Sequence, residues 1–385
     1  MLSGVLAPVC VESLQALRAT DQSQDLQVIS PDDKPWDVHK LQAVRVAAFL
    51  DQGEETHQRQ ADRMRVCAET LEFGWVNLPG DTGETKLKLK QARFCRVRHC
   101  PICQWRKSLM WISRFFRAFP KIYADHPEWR YLMLTLTIRN CSIFELRATV
   151  NQMNKAWDRL AKRKGWPALG FVRTLEITRG ADGSAHPHFH CLLAVPPGYF
   201  VGRKYLSTAK WAAMWGEVLR IDYTPICEVH TVKPKPWTKL RKESPFGLHE
   251  VQMDEVRNAI VSPEQYDIQG APRLGGMAEA DSIQPSKSEM LIGAILEVIK
   301  YAVKPDDMLA DPLWLIELSS QLKNSRAVAL GGALREYLSE DEPDNLISED
   351  ADSLTENPGG VSFGWREHAQ RYRRQKTKGP VESTL

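Results

Sequence analysis

The run His186-Pro187-His188-Phe189-His190-Cys191-Leu192-Leu193 constrains the fold of this chain more than any other, because imidazoles and apolar groups alternate in it with the period of a β-strand. His188 and His190 share one face, and Phe189, Cys191 and Leu193 share the other. Such a strand has a core beneath it and a polar surface above. Upstream, Phe171 to Thr178 has the composition of a second strand, and the linking Arg179-Gly180-Ala181-Asp182-Gly183-Ser184-Ala185 carries two glycines suited to a hairpin loop. A turn centred near Asp182 sets residues whose numbers sum to about 364 opposite one another, which brings Glu176 across from His188 at the roughly 5 Å of a cross-strand pair. Two imidazoles completed by a carboxylate suit a divalent cation that favours oxygen, magnesium or manganese. Asp182, at the loop tip, points to solvent, and His186, nearest the loop, is read as a substrate contact.

The neighbouring sequence supplies a sheet for this hairpin and helices to cover it. Tyr131 to Ile138 is apolar and β-branched, with Thr135 and Thr137 on one face. Helical periodicity follows over Ser142 to Lys164, stopped by Gly165-Trp166-Pro167, and again over Ser207 to Leu219, before a fourth strand from Ile226 to Val232. Strands interspersed with helices and joined by a hairpin predict an α+β domain, an antiparallel sheet flanked by helices. The chain divides into an N-terminal arm (1–60) with one short helix from Val38 to Leu50, a cysteine-rich basic module (61–125) ending in a helix from Trp105 to Phe119, and the sheet domain (126–310) with an insertion rich in Pro, Gly and charge (233–288). A helical segment (311–339) and a disordered tail (340–385), acidic and then basic, complete it.

The cysteines decide what the basic module is. Cys95, Cys100 and Cys103 crowd into nine positions, and Cys67 lies upstream where a returning hairpin brings it back, a spacing used by tetrahedral zinc sites. Four thiolates close such a site, so this zinc holds a fold together and leaves no position for substrate. His99 is the competing fourth ligand. Cys10, Cys141, Cys191 and Cys227 are read as buried or isolated thiols. Eight cysteines in 385 residues are too few for a secreted disulfide framework. With no run of about eighteen uncharged apolar residues and no basic leader, a chain without membrane spans that stays in the cytoplasm is expected.

Charge is distributed unevenly. The formal net charge is +3, but 1–60 and 340–385 each carry −4, which leaves +11 on 61–339, and eight Lys/Arg residues with no acid lie between Lys86 and Lys107. This favours a polyanionic partner and offers a phosphate-contacting surface on the cysteine module.

Farther along, Leu291 to Lys304 separates into two faces at about 100° per residue. Leu291, Ile295, Val298, Ile299 and Ala302 form an apolar arc, while Glu297, Tyr301 and Lys304, spaced i, i+4 and i+7, share a polar sector. A helix from about Glu289 to Val303, closed by Lys304-Pro305, is expected. A phenol is a poor nucleophile near neutrality unless a cation or a base lowers the cost of its phenolate. Lys304 supplies charge for that purpose, and Glu297 supplies a proton acceptor for tyrosine or for water.

Four segments occur in the order Phe94-Cys-Arg-Val-Arg-His-Cys-Pro-Ile-Cys103, Leu134-Thr-Leu-Thr-Ile-Arg-Asn140, His186-Pro-His-Phe-His-Cys-Leu-Leu193 and Glu297-Val-Ile-Lys-Tyr-Ala-Val-Lys304. In this order they resemble the motifs of the rolling-circle plasmid replication initiators, a family of the HUH endonuclease superfamily, named for two histidines around a hydrophobic residue. The resemblance covers roughly Cys67 to Pro305 and implies the HUH endonuclease fold. It also implies a nick at a plasmid's double-strand origin, with the 5′ phosphate left on Tyr301 and a 3′ hydroxyl freed as primer. His188, His190 and Glu176 are then the ligands that hold magnesium or manganese against the scissile phosphate, and Glu297 activates the water that releases the protein after one round. Implied partners are origin DNA, single-stranded at the nick, and host replication proteins such as a helicase and a polymerase. The insertion and the acidic tail match no motif of that family.

Other readings compete. Histidine-triad nucleotide hydrolases have a similar histidine strand, but they are short and need neither a cysteine module nor a tyrosine helix. Relaxases place the tyrosine before the histidine motif, and here it follows. A zinc-stabilised DNA-binding regulator with a degenerate metal site binds DNA without cutting it.

Overall fold

The computed structural model describes residues 24–77, 85–232, 298, 303–338, 346–347 and 360–375. Over these residues the chain begins with helices α1 (Leu26–Ile29), α2 (Lys34–Leu50) and α3 (Glu55–Arg65), then strands β1 (Thr70–Asn77) and β2 (Thr85–Ala92) and the long helix α4 (Pro101–Asp125). Strand β3 (Arg130–Thr137), helix α5 (Leu146–Ala161), the hairpin β4 (Gly170–Arg179) and β5 (Ala185–Val195), helix α6 (Thr208–Leu219) and β6 (Cys227–Thr231) follow. The C-terminal part contains α7 (Pro305–Met308), α8 (Pro312–Gln321), β7 (Val328–Gly332), α9 (Ala333–Leu338), β8 (Val361–Arg366) and β9 (Arg371–Arg374). The strands form two antiparallel sheets, one in the order β6-β3-β5-β4-β7 and one in the order β2-β1-β8-β9. This is the α+β arrangement expected from the sequence, and no described helix is long and apolar enough to cross a membrane.

The five-stranded sheet follows from the alternation in its central strand. Leu132, Leu134 and Leu136 of β3 pair with Leu193, Cys191 and Phe189 of β5, and all six are buried. Burial of each large apolar side chain contributes roughly 1.5–3 kcal/mol. On this face Trp157 of α5 meets Phe171 and Phe189 edge-on, with ring centroids 4.9 and 6.2 Å apart, and Trp215 of α6 lies 6.2 Å from Phe189. The helices therefore cover the apolar side and leave the histidines on the opposite one.

Elsewhere the fold corrects the sequence-based boundaries. The stretch expected as an N-terminal arm carries α2, which starts at Lys34, before Val38, and buries Trp36, Ala43, Val46 and Leu50. Its Lys40 is 1% exposed and donates from Nζ to the carbonyls of Arg65 (2.6 Å) and Cys67 (2.7 Å). Helix α4 begins at Pro101, immediately after Cys100 and before the expected Trp105, at a position where a proline costs no hydrogen bond, and it carries Cys103 in its first turn.

The tail expected to be disordered contains the β8–β9 hairpin, in which Phe363 pairs with Leu71 and Val361 with Phe73 of β1. Fully buried Asp25 accepts from Arg371 (3.1 Å) and Arg373 (2.8 Å), and Asp37 Oδ1 accepts from the Tyr372 amide (2.7 Å), so the hairpin is bound to the N-terminal helices. The segment expected as helical over 311–339 contains β7, which pairs with β4. Gly332 has φ +58, and a Cβ there would lie 2.2 Å from the Leu169 carbonyl oxygen, an approach only glycine permits. The insertion 233–288 lies outside the described residues.

Candidate metal centre

The β4–β5 hairpin pairs Glu176 with His188 and Thr174 with His190, the register that a turn near Asp182 predicts. On the other side of β5, Thr137 pairs with His188 and Thr135 with His190. Glu176, His188 and His190 are all buried. Glu176 Oε2 lies 2.8 Å from His190 Nε2 and 3.3 Å from His188 Nε2, so three ligand atoms converge on one point. His188 Nδ1 is 3.1 Å from the His186 carbonyl, an acceptor, so Nδ1 carries the proton. That leaves the Nε2 lone pair aimed at a carboxylate oxygen, an arrangement that calls for a shared cation. Without a cation, burial pushes the Glu176 carboxyl up, but once the imidazoles are protonated on Nε2 their hydrogen bonds and charge outweigh it and hold the group well below the usual carboxylate range. The donor set of two imidazole nitrogens and one carboxylate oxygen fits a divalent cation with open positions.

The surroundings are polar and partly open. His186 is half-buried, with its ring centroid 5.1 Å from that of His188. Asp182 is exposed at the loop tip and bonds Ser184, as its position in the sequence indicates. At the end of β4 the Arg179 amide donates to Asp307 Oδ2 (3.4 Å), and the Arg179 guanidinium pairs with Asp311 (3.4 Å). Burial raises the Asp307 carboxyl pKa, and Glu176 adds to the rise while Lys304 opposes it. Lys304 is exposed and precedes α7. Sequence reading did not find Asp307 or Arg179, because nothing in the order of residues shows that the start of α7 runs beside the end of β4.

Tyr301 and Glu297 lie outside the described residues. The residues bracketing Tyr301 are described. Thr174 Oγ1 donates to the Val298 carbonyl (2.5 Å), and Val303 forms a parallel bridge with Ile177. Val298 is helical, as expected, whereas Val303, expected to end the helix, lies instead against β4. Both contacts are on the strand that carries Glu176.

The four cysteines of the basic module meet in one buried cluster. Sγ–Sγ distances are 3.6 Å for Cys67–Cys103 and Cys95–Cys103 and 3.7 Å for Cys67–Cys100. Four sulfurs held tetrahedrally at the usual zinc–sulfur distance lie about 3.8 Å apart, so the donors fit zinc. Backbone amides of Cys95, Arg96 and Val97 point at the sulfurs of Cys67 (3.4 Å), Cys103 (3.3 Å) and Cys95 (3.5 Å), helped by the left-handed Arg96 (φ +55). Hydrogen bonds from Cys100, Cys103 and Cys67 hold the Cys95 thiol far below its ordinary range. Cys67 is the fourth sulfur of the cluster, and His99 is not among its members. The His99 ring is 1% exposed, neither nitrogen has a partner, and burial followed by the neighbouring Arg98 charge lowers its pKa to about 3.

A family model described as "Replication protein" matches residues 86–373. The chain belongs to this replication-protein family. It is 37% identical over 280 residues to "Protein rep" of Lactiplantibacillus plantarum, a match covering 71% of this chain and 84% of that protein. A match to "Protein rep" of Bacillus amyloliquefaciens has 30% identity over 298 residues and covers 74% of each chain. "Protein rep" of Streptococcus pneumoniae is 33% identical over 208 residues, 52% of this chain, and the match spans 62% of the length of that relative. No solved structure matches the chain. The family match runs from β2 to β9, and so takes in the whole five-stranded sheet with its histidine strand and Cys95, Cys100 and Cys103, while β1 and Cys67 precede it.

Proposed function

We propose that this chain is a plasmid rolling-circle replication initiator of the HUH class, which nicks origin DNA by transesterification onto Tyr301. The Tyr301 Oη attacks the scissile phosphorus, the bond to the 3′ oxygen breaks, and the strand is left with its 5′ phosphate on the tyrosine and a 3′ hydroxyl that takes up a proton. One observation carries this reading: Glu176, His188 and His190 converge on the face of a sheet whose strand β4 also holds Val298 and Val303, on either side of Tyr301. Two residues of chain reach at most about 7 Å, so connectivity to Val303 keeps the tyrosine within range of β4. Glu176, His188 and His190 would hold a magnesium or manganese ion, which would supply positive charge to polarise the phosphate and offset the charge developing on the leaving 3′ oxygen.

The remaining roles fall to the chain itself. Glu297, four residues before Tyr301 in the sequence, accepts a proton from the water that later cleaves the phosphotyrosine, and Lys304 adds positive charge for the phenol. The Cys67, Cys95, Cys100 and Cys103 cluster holds zinc in a closed shell and fixes the start of α4, so its role is structural. The basic stretch from Lys86 to Lys107 contacts DNA phosphates. A host polymerase then extends the free 3′ hydroxyl while a host helicase unwinds the duplex.

Incubation of the full chain with manganese and single-stranded DNA from its plasmid's origin tests the reading. A denaturation-resistant protein–DNA adduct is expected from wild type and none from Tyr301→Phe. Equal adduct from the variant, or hydrolysis that survives in it, contradicts the assignment and favours nucleotide-hydrolase chemistry at the histidines.

A further inference from the structure

Beside the metal-ligand row, the sheet presents an arginine, Arg139, whose guanidinium stacks on a tyrosine and pairs with no carboxylate among the described residues. Thr137 pairs with His188, and one step toward the hairpin tip His186 pairs with Thr178. The alternation of β3 continues beyond its last paired residue: Ile138 is buried, Arg139 is exposed, and Cys141 forms a bridge with Ala185. Arg139 therefore stands alongside β5 at the level of His186, one pleat beyond the ligands. Two residues of strand advance about 6.6–6.8 Å, on the order of one nucleotide of extended single strand.

Arg139 is held in place by its backbone and its stacking, which leaves its charge unspent. Its amide donates to Tyr223 Oη (2.9 Å), and its guanidinium carbon sits 4.2 Å from the Tyr223 ring centroid. Nearby, Thr137 Oγ1 donates to the Ile226 carbonyl (2.8 Å), which ties the segment carrying Tyr223 to the end of β3. Among the described residues no carboxylate pairs with the Arg139 guanidinium, whereas Arg179, at the same end of the sheet, is committed to Asp311. A planar cation with five N–H donors, pre-stacked and facing solvent, suits a phosphate oxyanion. Tyr223 Oη accepts from the Arg139 amide, so its own hydrogen remains available to the same phosphate.

We propose that Arg139, braced on Tyr223, forms a subsite for the backbone phosphate of the nucleotide adjoining the scissile linkage. The inference rests on the nicking reading above for what occupies the neighbouring metal centre. The subsite sets the register of the single strand, so Arg139 is a positioning residue that forms no bond to the reacting phosphate. Charge attracts the strand, and stacking on Tyr223 limits the side-chain entropy lost when the contact forms.

The test measures binding of a single-stranded origin oligonucleotide in a Tyr301→Phe background, so that binding is separated from cleavage. Each linkage in turn is replaced by an uncharged methylphosphonate. Arg139→Ala is expected to weaken binding roughly tenfold and to make the slope of log K against log salt shallower by about 0.7. Neutralising one linkage next to the scissile position should weaken binding to the Arg139 protein by a similar factor and add nothing in Arg139→Ala, while Arg139→Lys restores the salt slope. The subsite is refuted if Arg139→Ala leaves affinity and slope unchanged, or if the losses from the variant and from every neutral linkage simply add. Because cleavage is not read, failure of Tyr301 to form an adduct bears only on the nicking reading.

Discussion

Glu176 reaches diagonally across the β4–β5 hairpin to His190, with Oε2 and Nε2 2.8 Å apart, although its register partner is His188, at 3.3 Å. One carboxylate oxygen thus serves both imidazoles, and removing it should dismantle the centre. Glu176→Gln is expected to lose manganese binding by at least tenfold in calorimetric titration, with the zinc content of the protein unchanged. The metal-free proteins should also differ in their acid response. The folded-state pKa of Glu176 is depressed, so its contribution to stability is complete above the ordinary value of 4.5 and declines as pH falls below it. The stability advantage of wild type over Glu176→Gln should therefore shrink below that pH in urea titrations.

The cysteine cluster is a second group that could hold a metal and shares no residue with the first. Cys100 precedes Pro101 at the start of α4, so losing its thiolate opens the shell where the helix is anchored. Cys100→Ala should lose bound zinc in elemental analysis and lower the melting temperature, while manganese titration at Glu176 persists. Simultaneous loss of both metals would contradict two separate sites.

Lys40 links α2 to the same module through two buried carbonyls, those of Arg65 and Cys67. Lys40→Met leaves both without a donor, at about 1–3 kcal/mol each. A loss of about 2–5 kcal/mol in urea unfolding is expected, and a change below about 0.5 kcal/mol would show that the carbonyls find other partners.

Asp37 gives the tail hairpin a pH dependence of the opposite sign. Burial raises its pKa to about 6, against the lowering effects of the Tyr372 amide and Arg371. Between the ordinary value of 3.8 and about 6 the folded state binds the extra proton, so stability rises as pH falls through that window. Asp37→Asn keeps an acceptor for the Tyr372 amide and should flatten the rise, measured as the urea midpoint against pH.

What the sequence revealed depended on how local the signal was. The pairing of Glu176 with His188 followed from one seven-residue loop and strict strand alternation, so residue numbers alone set the register. Spacing left the fourth ligand open between Cys67 and His99, and only the fold, which brings the Cys67 sulfur to those of Cys100 and Cys103, groups Cys67 with the other three cysteines. Strands β8 and β9 were hidden because Val361 and Phe363 find their partners in β1, nearly three hundred residues earlier, while the acidic run before them dominates the composition. Strand β7 was lost in an apolar segment that reads equally well as helix until Val172 is seen to pair with Leu330. Arg139 carried no signal of its own, because its significance comes from Tyr223, more than eighty residues away.

The most direct test of the central claim is to digest the manganese-dependent protein–DNA adduct and locate the attached nucleotide by mass spectrometry. A nucleotide phosphate on Tyr301, absent from Tyr301→Phe and from Glu176→Gln, is the predicted result. A nucleotide attached to a histidine of the β5 strand, or to any other tyrosine, would contradict it.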